Sequence, residues 1–390
     1  MPQTPHIFSD VTLNTNFLAA IVLAAAVCNS WPQASSAPQS KFGINVKAGP
    51  MDTLLLKDYA PASSLVVPQT LVAKARYPAI DVHSHSSMNG IHSPADVEAW
   101  VRRMDQVGVQ VSVVFTGATG AGFDRQADLF LKPHADRFQV YCSMDVANIE
   151  APDYPERAVR ELERCYQRGA RGVGEITDKG WGVQASEGRA LPRDKRLRLD
   201  DRRLDLFWKK CAELNLPVNV HIADHPSCWQ PLGPNQERTP DFQGFNLAGK
   251  DVPSYEELLA TRDRVLARHP KTRFIFCHLS NQGHDTAALG RALEKFPNLY
   301  LDISARDYEL GRQPRAARQF LVRYRDRVMF GTDMGMEQRM YEGWWRLLET
   351  ADEYLPGRIW WPYYGLELPD DVLKSLYREN ALKLLNWTKP

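Results

Sequence analysis

The chain has 390 residues, 44% of them hydrophobic and 24% charged, enough apolar side chains for one large buried core or two ordinary ones. Lys+Arg of 48 against Asp+Glu of 47 leaves a formal charge of +1, and no long basic run tracks a phosphate backbone, which argues against a nucleic-acid partner. The six cysteines (Cys28, Cys142, Cys165, Cys211, Cys228, Cys277) have no C-x-x-C spacing and read as buried thiols rather than a disulfide or zinc framework.

Residues 1–40 differ from the rest. Phe17–Val27 is an uncharged run rich in Ala, Leu, Ile and Val, followed by a Ser/Pro/Gln/Ala segment, Trp31–Ser40. The run is well short of the ~20 residues a membrane-spanning helix needs, so no membrane span is expected, but it suits the core of a secretory signal. Ser35 and Ala37 supply small residues for cleavage, whereas no Lys or Arg precedes Phe17. The expectation is export to the periplasm or medium, with a cytoplasmic location if this segment is no signal. Residues 41–78 carry several prolines and little periodicity and read as an extended lead-in.

From residue 79 onward a rhythm sets in. Strand-like runs fall at Ile80–His83, Val109–Thr116, Phe138–Asp145, Gly172–Thr177, Pro217–Ile222, Arg273–Leu279, Leu299–Ile303 and Val328–Thr332. The first intervening helix is well marked: Ser93 as N-cap, Pro94 at the first helical position, Val97, Val101 and Met104 at helical spacing, and Gly108 past the end. Further helical stretches cover roughly Phe123–Ala135, Tyr154–Arg168, Leu204–Leu214, Tyr255–Arg268, Ala287–Lys295, Arg315–Arg325 and Tyr341–Tyr354. Strands such as VSVVF and RFIFC are apolar on both parities, as strands covered on both faces are. Eight strand-then-helix units over about 250 residues match an α/β fold of the (β/α)₈ TIM-barrel type; the rival is a doubly wound open sheet.

The placement of polar residues separates the two. The stretch A-I-D-V-H-S-H (Ala79–His85) alternates, so His83 and His85 project to one side of a strand. Strand four ends in Glu175, strand five in His221, strand six in His278 and strand eight in Asp333. In a barrel these ends converge on one mouth; in an open sheet the first and last strands lie far apart.

At these positions the chain resembles the amidohydrolase superfamily, and more closely the branch that includes aminocarboxymuconate-semialdehyde decarboxylase-like enzymes. The matching pieces are D-V-H-S-H (Asp81–His85), V-H-I (Val220–Ile222), C-H-L (Cys277–Leu279), F-G-T-D (Phe330–Asp333) and N-A-L-K-L-L (Asn380–Leu385). The resemblance covers about Ala79 to Trp387. It implies a TIM barrel at residues 79–390 with a divalent metal, zinc first among the candidates, held at the C-terminal ends of the strands by His83, His85, His221 and Asp333. His278 would line the mouth as a catalytic group, and Glu175 lies where some superfamily members place a ligand bridging two metals.

Elementary chemistry agrees. Imidazoles and a carboxylate with one open position lower the pKa of a bound water toward ~7 from ~15.7. Asp333 can take the proton from that water, and His278 can polarise a carbonyl. The expected reaction is hydrolysis of an amide, lactone or ester bond in a small carboxylated molecule. Non-oxidative decarboxylation on the same scaffold is the alternative, and a non-catalytic ligand-binding barrel the second. Each residue also has a plainer reading: His221 as a core histidine, Asp333 as a turn cap, Glu175 as the partner of Arg171. Asp81 reads as a structural hydrogen-bond acceptor. Two long connections, Thr177–Arg203 with Trp181 and Ile222–Pro253 with His225 and Trp229, are expected to cover the mouth, and Arg306 past strand seven to clamp a carboxylate. His225, His284 and His92 sit in polar loops, where solvation is the plainer reading. A homo-oligomer is compatible with the sequence, which does not decide it.

Overall fold

Strand β1 (Ala79–His85) is buried over six of its seven residues, as its apolar start and both-sided packing predict. It opens a run of eight parallel strands: β2 (Val109–Phe115), β3 (Phe138–Tyr141), β4 (Val173–Asp178), β5 (Val218–Ile222), β6 (Phe274–Phe276), β7 (Leu299–Asp302) and β8 (Val328–Met329). The computed structural model describes residues 49–385 apart from 51, 184–190, 243, 335, 358 and 360; the signal-like segment 1–40 lies outside the described residues. No described helix is long and apolar enough to cross a membrane.

The ladders run β1-β2-β3 and β4-β5-β6-β7-β8. Two seams join them. Cys142 just past β3 bridges Val173, with Gly174 N–H donating to the Cys142 carbonyl at 3.0 Å. At the other seam Val82 N–H donates to Phe330 O at 3.0 Å and Asp333 N–H to His83 O at 2.9 Å. The strands therefore form a closed (β/α)₈ TIM barrel.

The main crossover helices are α1 (Pro94–Val107), α2 (Gly120–His134), α3 (Tyr154–Gln167), α4 (Asp205–Glu213), α5 (Tyr255–Arg268), α6 (Thr286–Lys295), α7 (Pro314–Arg323) and α8 (Gln338–Glu349). The Ser93 cap of α1 is a full capping box with Asp96, and Gly108 ends the helix at φ 86°, a left-handed position that suits glycine. Strands β3, β6 and β8 are shorter than the apolar runs suggest, although backbone hydrogen bonds to neighbouring strands continue past β3 at Cys142 and past β8 at Phe330, Thr332 and Asp333. The two long connections are also less irregular than expected: 3₁₀ turns form at Arg193–Lys195, Arg202–Leu204 and Pro226–Trp229, and a short helix at Thr239–Phe242. Pro226, at the first position of its turn, supplies the preset φ that starts it.

One apolar cluster fills the space between strands and helices. A second, with Ile80, Val82, Val111, Val113, Phe115, Ile275 and Met329, fills the barrel interior and takes in Ala381, Leu384 and Leu385 of the closing helix Asn380–Leu384 and its end. Asn380 Nδ2 donates to Val328 O at 2.8 Å, so this helix seals the end opposite the mouth. Trp345, wholly buried, packs on Phe330 at 4.8 Å and Tyr377 at 5.1 Å and fixes the base of the F-G-T-D turn.

The chain divides between Leu65 and Val66 into two compact units. In the first, a 3₁₀ turn forms at Leu56–Asp58, and Asp52 N–H donates to Gly49 O at 3.1 Å. In the second, the remainder of the lead-in is tied to α8 and the residues just past its end: Thr70 donates twice to Asp352, at 2.7 and 2.8 Å, and Arg76 N–H donates to Glu349 at 3.0 Å.

Candidate metal centre

The alternation of β1 puts His83 and His85 side by side, with their Nε2 atoms 3.3 Å apart. Behind them Asp81 acts as the expected structural acceptor, taking hydrogen bonds from Thr332 Oγ1 at 2.7 Å, Tyr341 Oη at 3.0 Å and the His83 N–H at 3.1 Å. Burial pushes its carboxyl up to about 6. Asp333 reaches the same point from the far seam. A Cβ on Gly331 would sit 2.9 Å from that of His83, so only glycine lets the F-G-T-D turn run this close to β1. Asp333 Oδ1 then lies 3.3 Å from His83 Nε2 and 3.2 Å from His85 Nε2.

His221, in β5, presents Nδ1 to Glu175 Oε1 at 3.1 Å and Nε2 to Asp224 at 3.3 Å. His278 lies beyond β6 rather than at its end, in four consecutive left-handed residues, His278 to Asn281, with φ between 51° and 59°. Its Nε2 lies 3.2 Å from Glu175 Oε1 and 3.1 Å from His221 Nδ1, and its Nδ1 donates to Ser304 O at 2.9 Å. Glu175 thus stands at the middle. Oε1 is also 3.6 Å from His83 Nε2, and Oε2 is 3.7 Å from His85 Nε2. Arg171, its alternative partner from the sequence, instead stacks over Tyr166 and donates to Ala170 O.

The cluster carries the electrostatic mark of a cation site. Although burial opposes it, the imidazoles of His221 and His83 hold the Glu175 carboxyl well below its ordinary range, and His83 does the same to Asp333. Burial also works against charge on His83, yet the surrounding anions, Asp333, Asp302 and Glu175 among them, raise its pKa well above 6.5. Burial and the neighbouring His221 lower His278 to about 4. The donor atoms of His83, His85 and Glu175 lie within 4.8 Å of one another, as do those of Glu175, His221 and His278. His83, His221 and His278 each have their other ring nitrogen engaged by an acceptor: Asp302 at 3.0 Å, Asp224 and Ser304. Imidazoles anchored in this way, with carboxylates between them, fit a divalent transition metal.

A cavity of about 310 Å³ opens from the cluster, lined among others by His221, His278, Asp333, Arg238, Arg306 and Tyr308. Arg306 is buried and donates to Ala305 O at 2.8 Å and to Asn281 Oδ1. His225 lines the cavity as well and is buried rather than solvated. Burial, His284 and the arginines at 238 and 306 hold its pKa down to about 3, so it is neutral. Trp181 and Trp229 do not line this cavity. Trp181 packs with Cys228, Leu247 and Val252 beneath Arg196, and Trp229 lies against that cluster and donates from Nε1 to Pro253 O at 2.9 Å.

Sequence reasoning passed over four residues here. Asp302 and Ser304 continue the alternation of L-D-I-S at the end of β7, and the strand-end argument applied to that strand would have found them. Asp224 and Arg238 lie in the connection after β5, where no periodicity marks a position.

No curated protein matches the sequence. Among solved structures, a putative amidohydrolase from Staphylococcus aureus is 16% identical, with a TM-score of 0.51 over 79% of this chain and 99% of that one. An uncharacterised TIM-barrel protein from Bordetella bronchiseptica is 18% identical, with a TM-score of 0.50 over 79% and 98%. A 2,6-dihydroxybenzoate decarboxylase from Rhizobium is 15% identical, with a TM-score of 0.49 over 80% and 99%. Likenesses this distant concern the fold and leave the reaction open. The family model described as Amidohydrolase matches residues 80–387, a span that begins in β1, ends past the closing helix and contains every member of the imidazole–carboxylate cluster. The chain belongs to the amidohydrolase family.

Proposed function

We propose that the protein is a metal-dependent hydrolase that opens an ester, lactone or amide bond in a small carboxylated molecule. The observation that carries the metal-dependent part of this reading is the position of Glu175: its carboxylate stands between a donor group on β1 and past β8, His83, His85 and Asp333, and a second on β5 and past β6, His221 and His278. These residues would hold a divalent cation, zinc in the first instance. When bound, such a cation lowers the pKa of a coordinated water toward ~7 and polarises the carbonyl under attack.

The chain's own residues do the rest. Asp333 lies against His83 and His85 and also lines the cavity, and it takes the proton from the attacking water and returns it to the leaving atom. His278, grouped by geometry with His221 and Glu175, belongs to the cation-holding set rather than acting alone on the carbonyl. Arg306 supplies a buried cation for the carboxylate of the substrate, and neutral His225 a hydrogen-bonding wall.

The test is a panel of carboxylated lactones, esters and amides and of aromatic and enoic carboxylates. Each is assayed for ring opening or acid release and for carbon dioxide, beside elemental analysis of the purified protein. Hydrolysis with close to stoichiometric zinc is the expected result. Carbon dioxide release without hydrolysis would move the assignment to a decarboxylase. That second reading is favoured by the pairing of buried Arg306 with the donor cluster in one cavity, which would hold a departing carboxylate. Less than a tenth of an equivalent of any transition metal, unchanged by added zinc or manganese, would leave a ligand-binding barrel.

A further inference from the structure

His221 is turned the opposite way from the other anchored imidazoles. His83 and His278 have Nδ1 tied to the barrel wall and send Nε2 into the cluster, whereas His221 sends Nδ1 inward and has Nε2 facing Asp224 at 3.3 Å. In a neutral imidazole one nitrogen carries the proton and the other the lone pair, and which is which depends on the hydrogen bond made by the first.

Asp224 is built into place. The chain leaves β5 through Ala223 at φ 59°, which bends it back so that a residue three positions on faces the ring of His221. The bend is pinned on both sides. Ala223 N–H donates to Asp178 O at 3.1 Å, while the carbonyls of Ile222 and Ala223 both accept from Asn281 Nδ2, at 3.0 and 3.2 Å. Asp224 is buried, and Lys179, just past β4, lies 3.2 Å from the same oxygen that faces His221. The ammonium holds that carboxylate as an acceptor facing Nε2, while Glu175 Oε1 faces Nδ1 at 3.1 Å.

We propose that Asp224, steadied by Lys179, is a positioning residue that fixes the proton of His221 on Nε2 and so makes Nδ1 the donor atom offered beside Glu175. This rests on the cation-binding reading for its consequence, though not for the ring orientation itself. A ring without this partner exchanges its tautomers or turns over, and a cation bound by His221 would be held less tightly. Outer partners of this kind commonly alter metal affinity 10- to 100-fold.

The experiment uses full-length protein, ¹⁵N-labelled in histidine, as wild type, Asp224→Ala, Asp224→Asn and Lys179→Met. Long-range proton–nitrogen spectra are recorded metal-free at alkaline pH, where the imidazole is neutral, and again after zinc loading. Zinc retained against a graded chelator is measured in parallel. The wild type should show His221 protonated on Nε2 in both states. Asp224→Ala should lose that single tautomer and release its weakest-held zinc at 10- to 100-fold lower chelator, while Asp224→Asn, whose amide oxygen still accepts, should keep both properties. Lys179→Met should lie between. A pure Nε2–H tautomer in Asp224→Ala, with zinc retained as in the wild type, overturns the proposal, as does an Nδ1–H tautomer in the wild type. Absence of zinc from every variant would count against the metal reading alone, since the metal-free spectra still decide the role of Asp224.

Discussion

His83 and His278 face each other across the cluster, their ring centroids 5.0 Å apart, and the backbones that carry them could hardly differ more. His83 sits in the extended chain of β1, where the pleat aims it inward, although the ladder to β2 shifts register between Asp81 and Ser84. His278 opens a turn of four left-handed residues, a conformation that costs an L-residue roughly 1–2 kcal/mol. The turn persists because its surroundings hold it. His278 N–H donates to Asp302 at 2.9 Å, Asn281 clamps the end of β5, Tyr255 Oη donates to Asn281 O at 2.8 Å, and Arg262 donates to Ser280 Oγ at 2.9 Å. Relaxed geometry on one wall is local to its strand, whereas strained geometry on the other is imposed by neighbours distant in sequence.

Asp302 joins the two walls, accepting from His83 Nδ1 on one oxygen and from the His278 and Ser304 N–H groups on the other. Asp302→Ala is therefore expected to have the largest effect. It should lose about 3–5 kcal/mol in urea unfolding, with both imidazoles disordered, since it strands buried polar partners. A loss below 1 kcal/mol would show that the walls are independent. Next comes Asn281→Ala, which should cost about 2 kcal/mol through its buried hydrogen bonds and, through Arg306, raise KM for carboxylated substrates more than it lowers kcat. A fall in kcat with KM unchanged would separate the left-handed turn from substrate binding.

On the relaxed wall, Gly331→Ala should cost about 1–2 kcal/mol by forcing the F-G-T-D turn away from His83. An unchanged melting temperature would mean that the seam gives way freely. The smallest effect concerns protons. Because His83 is raised above 6.5 in the folded state, its contribution is complete below pH 6.5 and is lost as pH rises through its folded value. Glu175 and Asp333, being depressed, contribute above 4.5 and 3.8 and lose that contribution only on acidification. Metal-free protein should therefore melt progressively lower above pH 6.5, by roughly 2–4 °C for each kcal/mol lost, while zinc-loaded protein should not. Parallel curves for the two forms would remove the link between the proton and the cation.

Legibility in the sequence divides along the same line. H-x-H in an alternating run, the strand–helix rhythm and the Ser93–Gly108 boundaries of α1 are local patterns with a local cause, and the barrel and the central residues of its mouth were legible from them. The end of β6 was not, because nothing in C-H-L-S signals a left-handed turn made possible by Asp302, Asn281 and Arg262. Nor was the packing of Trp181, buried, and Trp229, half-buried, in a side cluster. Both lie in connections without periodicity, where an aromatic residue fits a cavity wall and a small core equally well.

The left-handed turn after β6 also limits how this protein can diverge. A surface connection such as 222–253 can gain or lose residues with little penalty, but a mirror-image turn of four residues has one length at which both its ends meet their partners. Insertions and deletions between Cys277 and Gln282 should be rejected by selection almost without regard to residue type. Among point changes, proline is barred there outright by its fixed negative φ, so drift at this corner of the barrel is confined to side chains.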